Sequence, residues 1–169
     1  VTGVQTCALP IYLVSGKVPR RNGNDHPNIQ PQDVYACADG DLILVVGNDG
    51  QFRKLCEVLG QPAWAADERY ATNAQRVRHI DELAPMLREA FAGWQREALI
   101  AALDEAGVPC GAINSVAEVF RDPQVVARGM LRHVPHPAGV DVPQVGSPMR
   151  FAEAQLQVPA APPLLGQHS

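Results

Sequence analysis

An α+β fold is predicted for this 169-residue chain, on three observations. Two short β-prone runs flank an Asp-Gly step, three helical stripes follow in succession, and the remainder is a series of short extended pieces broken by proline and glycine. Residues Val1–Ile11 (VTGVQTCALPI) have neither helical nor strand periodicity, join abruptly to Tyr12, and are set aside as non-native sequence. Tyr12–Gly16 reads as the last turn of a helix. Lys17–Gln32 contains three prolines and no apolar period, the composition of an ordered loop or linker.

Val34–Cys37 and Leu42–Val46 are the two β-prone runs, and Asp39-Gly40 between them predicts a hairpin turn in which both central residues accept positive φ. Asn48 and Asp49 suit the start of a helix with apolar positions Phe52, Leu55, Cys56 and Leu59, stopped by Gly60. A second helical region follows Asn73, with the stripe Leu83, Met86, Leu87, Ala90 and Phe91, and with Asp81 and Glu82 in a first turn where the helix dipole favours anions. A third, Gln95–Ala106, presents Ala98, Leu99, Ala102 and Leu103 and ends at Gly107.

Val108–Ile113 reads as extended, and Ser115 with Glu118 forms a capping-box pattern for a short helix that stops before Asp122-Pro123. Another helical turn is expected up to Arg128. The tail, Val158–Ser169, is proline-rich and is expected to lie extended along a surface. Trp64 and Trp94 are expected as packing anchors.

Composition narrows the function classes. Lys and Arg number 14 against 18 Asp and Glu, without a long run of either sign, so nucleic acid and membrane surfaces are not expected as partners. The longest strongly apolar run, Leu42–Val46, falls far short of the ~20 residues a membrane span needs. The N-terminus lacks the features of a secretion signal, and a cytoplasmic location is expected. Cys7, Cys37, Cys56 and Cys110 stand apart without a CxxC pair, which predicts reduced, buried thiols. His133 and His136 flanked by prolines, with no third ligand nearby, are expected to be loop histidines, and no metal is assigned.

Four strings in this order resemble one family: NGNDHPNIQP at 22–31, DGDLILVVGNDGQFRKLCEVLG at 39–60, AGVPCGAINSVAEVFRDPQVVARGM at 106–130, and APPLLGQH at 161–168, with DERYATNAQR at 67–76 in support. They resemble the class III CoA-transferases, the family that includes formyl-CoA and crotonobetainyl-CoA transferases and the α-methylacyl-CoA racemases. The resemblance implies the small α+β domain of such an enzyme, a β-hairpin or small antiparallel sheet plus helices, followed by a C-terminal return segment, with a Rossmann-like large-domain half missing. The divisions it implies are a linker or loop at 12–32, the small domain at 33–128 and the return segment at 129–169.

The activity implied is transfer of CoA from an acyl-CoA thioester to a free carboxylic acid through an enzyme-bound aspartyl anhydride, because a carboxylate nucleophile can relay an acyl group covalently. No residue of this chain matches the motif of the family's nucleophilic aspartate, so no catalytic residue is expected here and the piece alone is expected to be inactive. The resemblance implies no covalently bound cofactor, a coenzyme A thioester and a carboxylic acid as substrates, and an interlocked homodimer for the longer protein. By position, Asn22, Gly23, Asn24, Asp25 and His26 match the loop that closes over the family's active site, where only Gly23 preserves a glycine. A plain polar linker is the competing reading. Asp49 lies beside the position of a glutamate that supports the proton-transfer histidine in racemase relatives, and a helix N-terminal role is the reading favoured for it. A racemase of the same family, or a stand-alone non-catalytic binding module, remains the alternative.

Overall fold

The hairpin expected at 34–46 supplies two strands of a three-stranded antiparallel sheet in a computed structural model of the chain, which describes residues 10, 12–18, 23–153 and 161–167. Strand β1 (Gln32–Ala36) pairs with β2 (Asp41–Val45), Val34 opposite Ile43, and β2 pairs with β3 (Cys110–Ala112), Ile43 opposite Gly111. Alternation along β2 sends Leu42 and Leu44 into the core and leaves Ile43 exposed. The turn differs from the expectation. Four residues, 37–40, bridge the strands, closed by Cys37 N–H donating to the Gly40 carbonyl at 2.8 Å, and no described non-glycine residue has positive φ. The reason lies elsewhere in the chain: Asp39 Oδ1 accepts the Arg96 amide at 2.6 Å and Ala38 N–H donates to the Trp94 carbonyl, so the turn is shaped by docking onto the start of the helix that begins at Arg96.

The chain divides into two compact units, Val1–Ile113 and Asn114–Ser169. In the first, residues 12–15 are helical and Gly16 N–H donates to the Tyr12 carbonyl, as expected of a final turn. Helix α1 (Asp49–Val58) is capped by Asn48, whose Oδ1 accepts the Gln51 amide at 2.9 Å, and it buries Phe52, Leu55 and Cys56. A short α2 (Pro62–Ala66), absent from the sequence expectation, leads to α3 (Asn73–Arg78). His79 departs from helical dihedrals and separates α3 from α4 (Ile80–Ala92), which buries Leu83, Leu87 and Phe91. Pro85 lies inside α4 and removes one donor from its hydrogen-bond ladder.

Helix α5 (Arg96–Ala106) buries Leu99 and Leu103. Its inner face differs from the expected one, because Ile100 and Ala106 pack against the core while Ala98 is exposed. Both α1 and α5 end in the same double hydrogen bond. Gly60 N–H donates to Glu57 and Gln61 N–H to Cys56 in one, and Gly107 N–H to Asp104 and Val108 N–H to Leu103 in the other. Glycine stands at the reversal each time, with φ of 70° and 72°, because a left-handed residue there carries no Cβ penalty.

The core of this unit gathers Tyr35, Leu42, Leu44, Phe52, Leu83, Leu87, Phe91, Leu99 and Leu103, with Tyr35 stacked on Phe91 at 4.5 Å between centroids. Each such side chain contributes about 1.5–3 kcal/mol on full burial. Trp64 and Trp94 pack at its margin, as anchors should. Cys56 is buried, Cys37 and Cys110 are half-buried, and all three are free thiols; Cys7 lies outside the described residues.

The second unit begins with α6 (Val116–Val119), where the Ser115–Glu118 capping box forms in both directions. Asp122-Pro123 then starts a helix as well as following one. Asp122 Oδ1 accepts the amides of Gln124 and Val125, and Pro123 occupies the first turn of α7 (Pro123–Ala127), where its missing N–H has no intrahelical acceptor to lose. Strands β4 (Leu131–Pro135) and β5 (Asp141–Val145) pair antiparallel with Val134 opposite Val142, joining extended pieces that the sequence reading left separate. Residues 114–128 thus fall with the second unit, whereas the resemblance drew its boundary after 128. Of the tail, residues 161–167 are described, and they close a turn, Gln167 N–H donating to the Leu164 carbonyl, where an extended arm was expected. Among the described residues no helix is long and apolar enough to cross a membrane.

Candidate functional site

The expected loop residues divide sharply by environment. Asn22 lies outside the described residues, and Gly23 and Asn24 are exposed. Asp25 and His26 are half-buried and belong to a hydrogen-bonded hub centred on Gln30, whose side chain is buried. Gln30 Nε2 donates to Asp25 Oδ1 and, at 2.7 Å, to the His26 carbonyl. The His26 amide donates to the Gln32 carbonyl, and the Asn28 amide donates to His26 Nδ1 at 3.1 Å. A ring nitrogen that accepts is unprotonated, so the neutral His26 imidazole carries its proton on Nε2.

Helix α3 holds this loop from beneath. Asn73 and Arg76 are one turn apart and so share a helix face. Asn73 Oδ1 accepts the Gln30 amide at 3.0 Å while its Nδ2 donates to the Asn28 carbonyl at 2.8 Å. Arg76 is fully buried and uses three of its nitrogens: Nε donates to the Gln30 carbonyl at 2.7 Å, Nη1 to the Tyr70 carbonyl at 2.9 Å, and Nη2 to Asp49 Oδ1 at 2.8 Å. Its guanidinium lies 4.5 Å over the Phe52 ring. Burial pulls the Arg76 pKa below its ordinary value, and the hydrogen bond and charge of Asp49 oppose that pull.

Asp49 therefore does more than sit at a helix start. The same Oδ1 also accepts the Asn73 amide at 2.8 Å, so one carboxylate ties the first turn of α1 to that of α3 and pairs the buried cation. Three of the expected residues, Asp25, His26 and Asp49, are thus brought into one connected cluster, by way of Gln30, Asn73 and Arg76, none of which was singled out from sequence. The usable signal was the proximity of Asn73 and Arg76 in the DERYATNAQR string. A lone arginine in a polar helix otherwise reads as solvent-facing.

The cluster lacks a nucleophile paired with a base. Its hydrogen bonds run from loop to helix, which is an arrangement for fixing backbone. His133 is exposed, and His136 is engaged on both sides, Nδ1 accepting the Ala138 amide and Nε2 facing the Pro162 carbonyl at 2.9 Å. No group of three or more His, Cys, Asp or Glu disposed to hold a metal occurs among the described residues.

Comparison with known proteins places this arrangement. A family model described as CoA-transferase family III matches residues 1–169. A succinate–glutarate CoA-transferase of Agrobacterium fabrum is 46% identical over 93% of this chain, which covers 39% of that protein. A human succinyl-CoA:glutarate CoA-transferase is 32% identical over 94% of the chain and 36% of its own length. Among solved structures, a CaiB/BaiF family protein from Brucella suis is 45% identical with a TM-score of 0.81, over 98% of this chain and 43% of that one. The chain spans about two fifths of the length of these relatives. Order of motifs, fold and family match agree, and the chain belongs to CoA-transferase family III.

Proposed function

We propose that this chain is the small domain and return segment of an enzyme that moves CoA from an acyl-CoA thioester to a free carboxylic acid, with four- and five-carbon dicarboxylates as the first substrates to test. The observation that carries this reading is the 46% identity to a succinate–glutarate CoA-transferase across nearly the whole chain. The net exchange conserves both acyl groups: the donor leaves as a carboxylate, the acceptor becomes the thioester, and nothing is oxidised or reduced. An aspartate carboxylate outside these 169 residues attacks the thioester carbonyl and expels CoA thiolate, giving the mixed anhydride.

The contribution of this chain is positional. Gly23, Asn24, Asp25 and His26, with Asn22 before them, form the covering loop of the active site, and the Gln30–Arg76 hub sets where that loop ends. A pre-set loop keeps water from a hydrolysable anhydride at little ordering cost. The longer protein works as an interlocked homodimer in the cytoplasm.

The test is to express the longer reading frame that contains this chain and to follow CoA exchange between succinyl-CoA and glutarate by liquid chromatography. Exchange by the longer protein, with none by the 169-residue chain, upholds the proposal. Robust exchange by the 169-residue chain alone overturns the placement of the nucleophile. Racemisation of a 2-methylacyl-CoA without CoA exchange replaces the transferase with the racemase.

A further inference from the structure

A cavity of about 320 Å³ opens in the first unit between the 25–35 segment and α4. Its polar wall carries Asp25, Asp33 and Asp81 against a single cation, Arg88, so its charge has the wrong sign for the carboxylate and CoA substrates proposed above. The carboxylates retain bonding capacity. Asp25 Oδ1 is taken by Gln30 and Asp33 Oδ1 by the Val34 amide, which leaves the second oxygen of each. Arg88 reaches only to 3.9 Å from Asp33 Oδ2 and is 59% exposed, a loose pair that a better-placed cation can displace.

Tyr35 is the independent observation. It is 1% exposed, with its ring locked against Phe91, and it lines the same cavity. Its hydroxyl nevertheless meets no hydrogen-bond partner among the described residues. Burial, and then the charge of Asp33, hold its pKa above the ordinary value, so it stays a neutral hydroxyl able to donate and accept. Asp25, Asp33 and Arg88 line the same cavity as Tyr35. The hydroxyl is therefore left to the cavity, where a ligand group can exchange a hydrogen bond with it.

Ala84 and Pro85 give the cavity an apolar side suited to a methylene stem. The described residues hold no cluster fit for a metal ion, and several N–H donors on one head group match several carboxylate oxygens. We propose that this cavity binds an alkylguanidinium or alkylammonium cation, with Asp33 and Asp81 as its principal acceptors and the Tyr35 hydroxyl as the neutral contact.

Binding is measured on the 169-residue chain by NMR titration with n-butylguanidinium and n-butylammonium, with an acetylated, amidated Gly-Arg-Gly peptide, and with butyrate as the anionic control. Saturable binding of the free cations assigns a small-molecule source, and binding of the peptide in preference assigns a basic side chain; either upholds the site. Asp81→Asn, at an exposed position, is expected to weaken binding about tenfold and Tyr35→Phe about fivefold. Arg88→Ala removes the competing cation and is expected to tighten it about fivefold, a gain that loss of structure cannot imitate. Failure of all three cationic probes to saturate, butyrate binding as well as the cations, or affinities unmoved by these substitutions overturns the proposal.

Discussion

The two compact units are built on different economies of burial. The first encloses a continuous core, in which Phe52, Leu83, Leu87, Phe91, Leu99 and Leu103 are wholly removed from solvent. Among its described residues the second has one buried apolar side chain, Val134, while Leu131, Val140, Val145, Met149 and Phe151 are all exposed. Its order comes from local devices instead: a capping box, an aspartate cap, and a two-stranded hairpin. Local devices contribute about 0.5–2 kcal/mol each, whereas a shared core accumulates over every member. A unit of the second kind is marginal by itself, since an isolated hairpin is barely stable in water.

The comparison breaks first if core truncations in the two units cost the same. Phe91→Ala removes the stacking partner of Tyr35 and is expected to cost about 3–5 kcal/mol, while Val134→Ala is expected to cost about 1–2 kcal/mol. Urea unfolding followed by hydrogen exchange in each unit separates the two, and the Phe91 variant should lose protection throughout residues 32–113.

The next effect concerns the hub. Arg76→Met strands the carbonyls of Gln30 and Tyr70 and leaves Asp49 without its cation, for an expected loss of about 3–5 kcal/mol. Asp49→Ala should cost less, about 2 kcal/mol, because Asp49 is nearly half exposed and Arg76 keeps two carbonyl partners. Hydrogen exchange distinguishes a hub from ordinary packing: amides from 26 to 32 should accelerate in both variants before those of α5 do.

The pattern of these residues explains what could be read from sequence. Leu83, Leu87 and Phe91 were legible because a helix repeats its buried face every three or four residues, and Ser115 with Glu118 because a capping box is complete within four. The place of the hairpin was legible and its turn was not, since Asp39 answers to the Arg96 amide 57 positions away. Ala98 was misplaced because alanine fits either face of a helix, and only contact with the sheet decides. Arg76 escaped for the opposite reason. Arginine is ordinarily solvated, and the carbonyl that retains it in the interior is 46 positions distant. Of the candidate site, Asp25 and His26 were legible through the resemblance to a family, while the links among Asp25, Gln30, Asn73, Arg76 and Asp49 are tertiary and leave no local period.

A smaller effect sharpens the burial contrast through pH. Burial pushes the Cys56 thiol up to about 12 from an ordinary 9.0, so the folded chain keeps a proton that the unfolded chain releases. The sign follows: the stability is fully present below pH 9 and declines as pH rises from 9 towards 12, because the unfolded state then binds fewer protons. Tyr35, raised above 10.0 chiefly by burial, acts in the same direction from pH 10 upward. Unfolding free energies at pH 8, 9, 10 and 11 should fall along this course, and Cys56→Ala should flatten it, destabilising modestly at pH 8 by a margin that shrinks as pH rises.

The smallest stability effect, and the most direct probe of the second unit, lies on its hairpin. Leu131 and Val145 are directly opposite across β4 and β5 and are 48% and 63% exposed, so together they form a cross-strand apolar pair facing outward. Replacing both with threonine places β-branched side chains on the pleat and removes part of the apolar surface. Unfolding free energy should change by no more than about 0.5 kcal/mol, as at surface positions generally. Self-association of the chain, measured by sedimentation velocity over a concentration series, should nevertheless fall, since contiguous exposed apolar surface drives association even where it adds nothing to folding. If stability drops by several kcal/mol instead, the pair supports the fold of the second unit, and the contrast in burial between the units is smaller than their exposures imply.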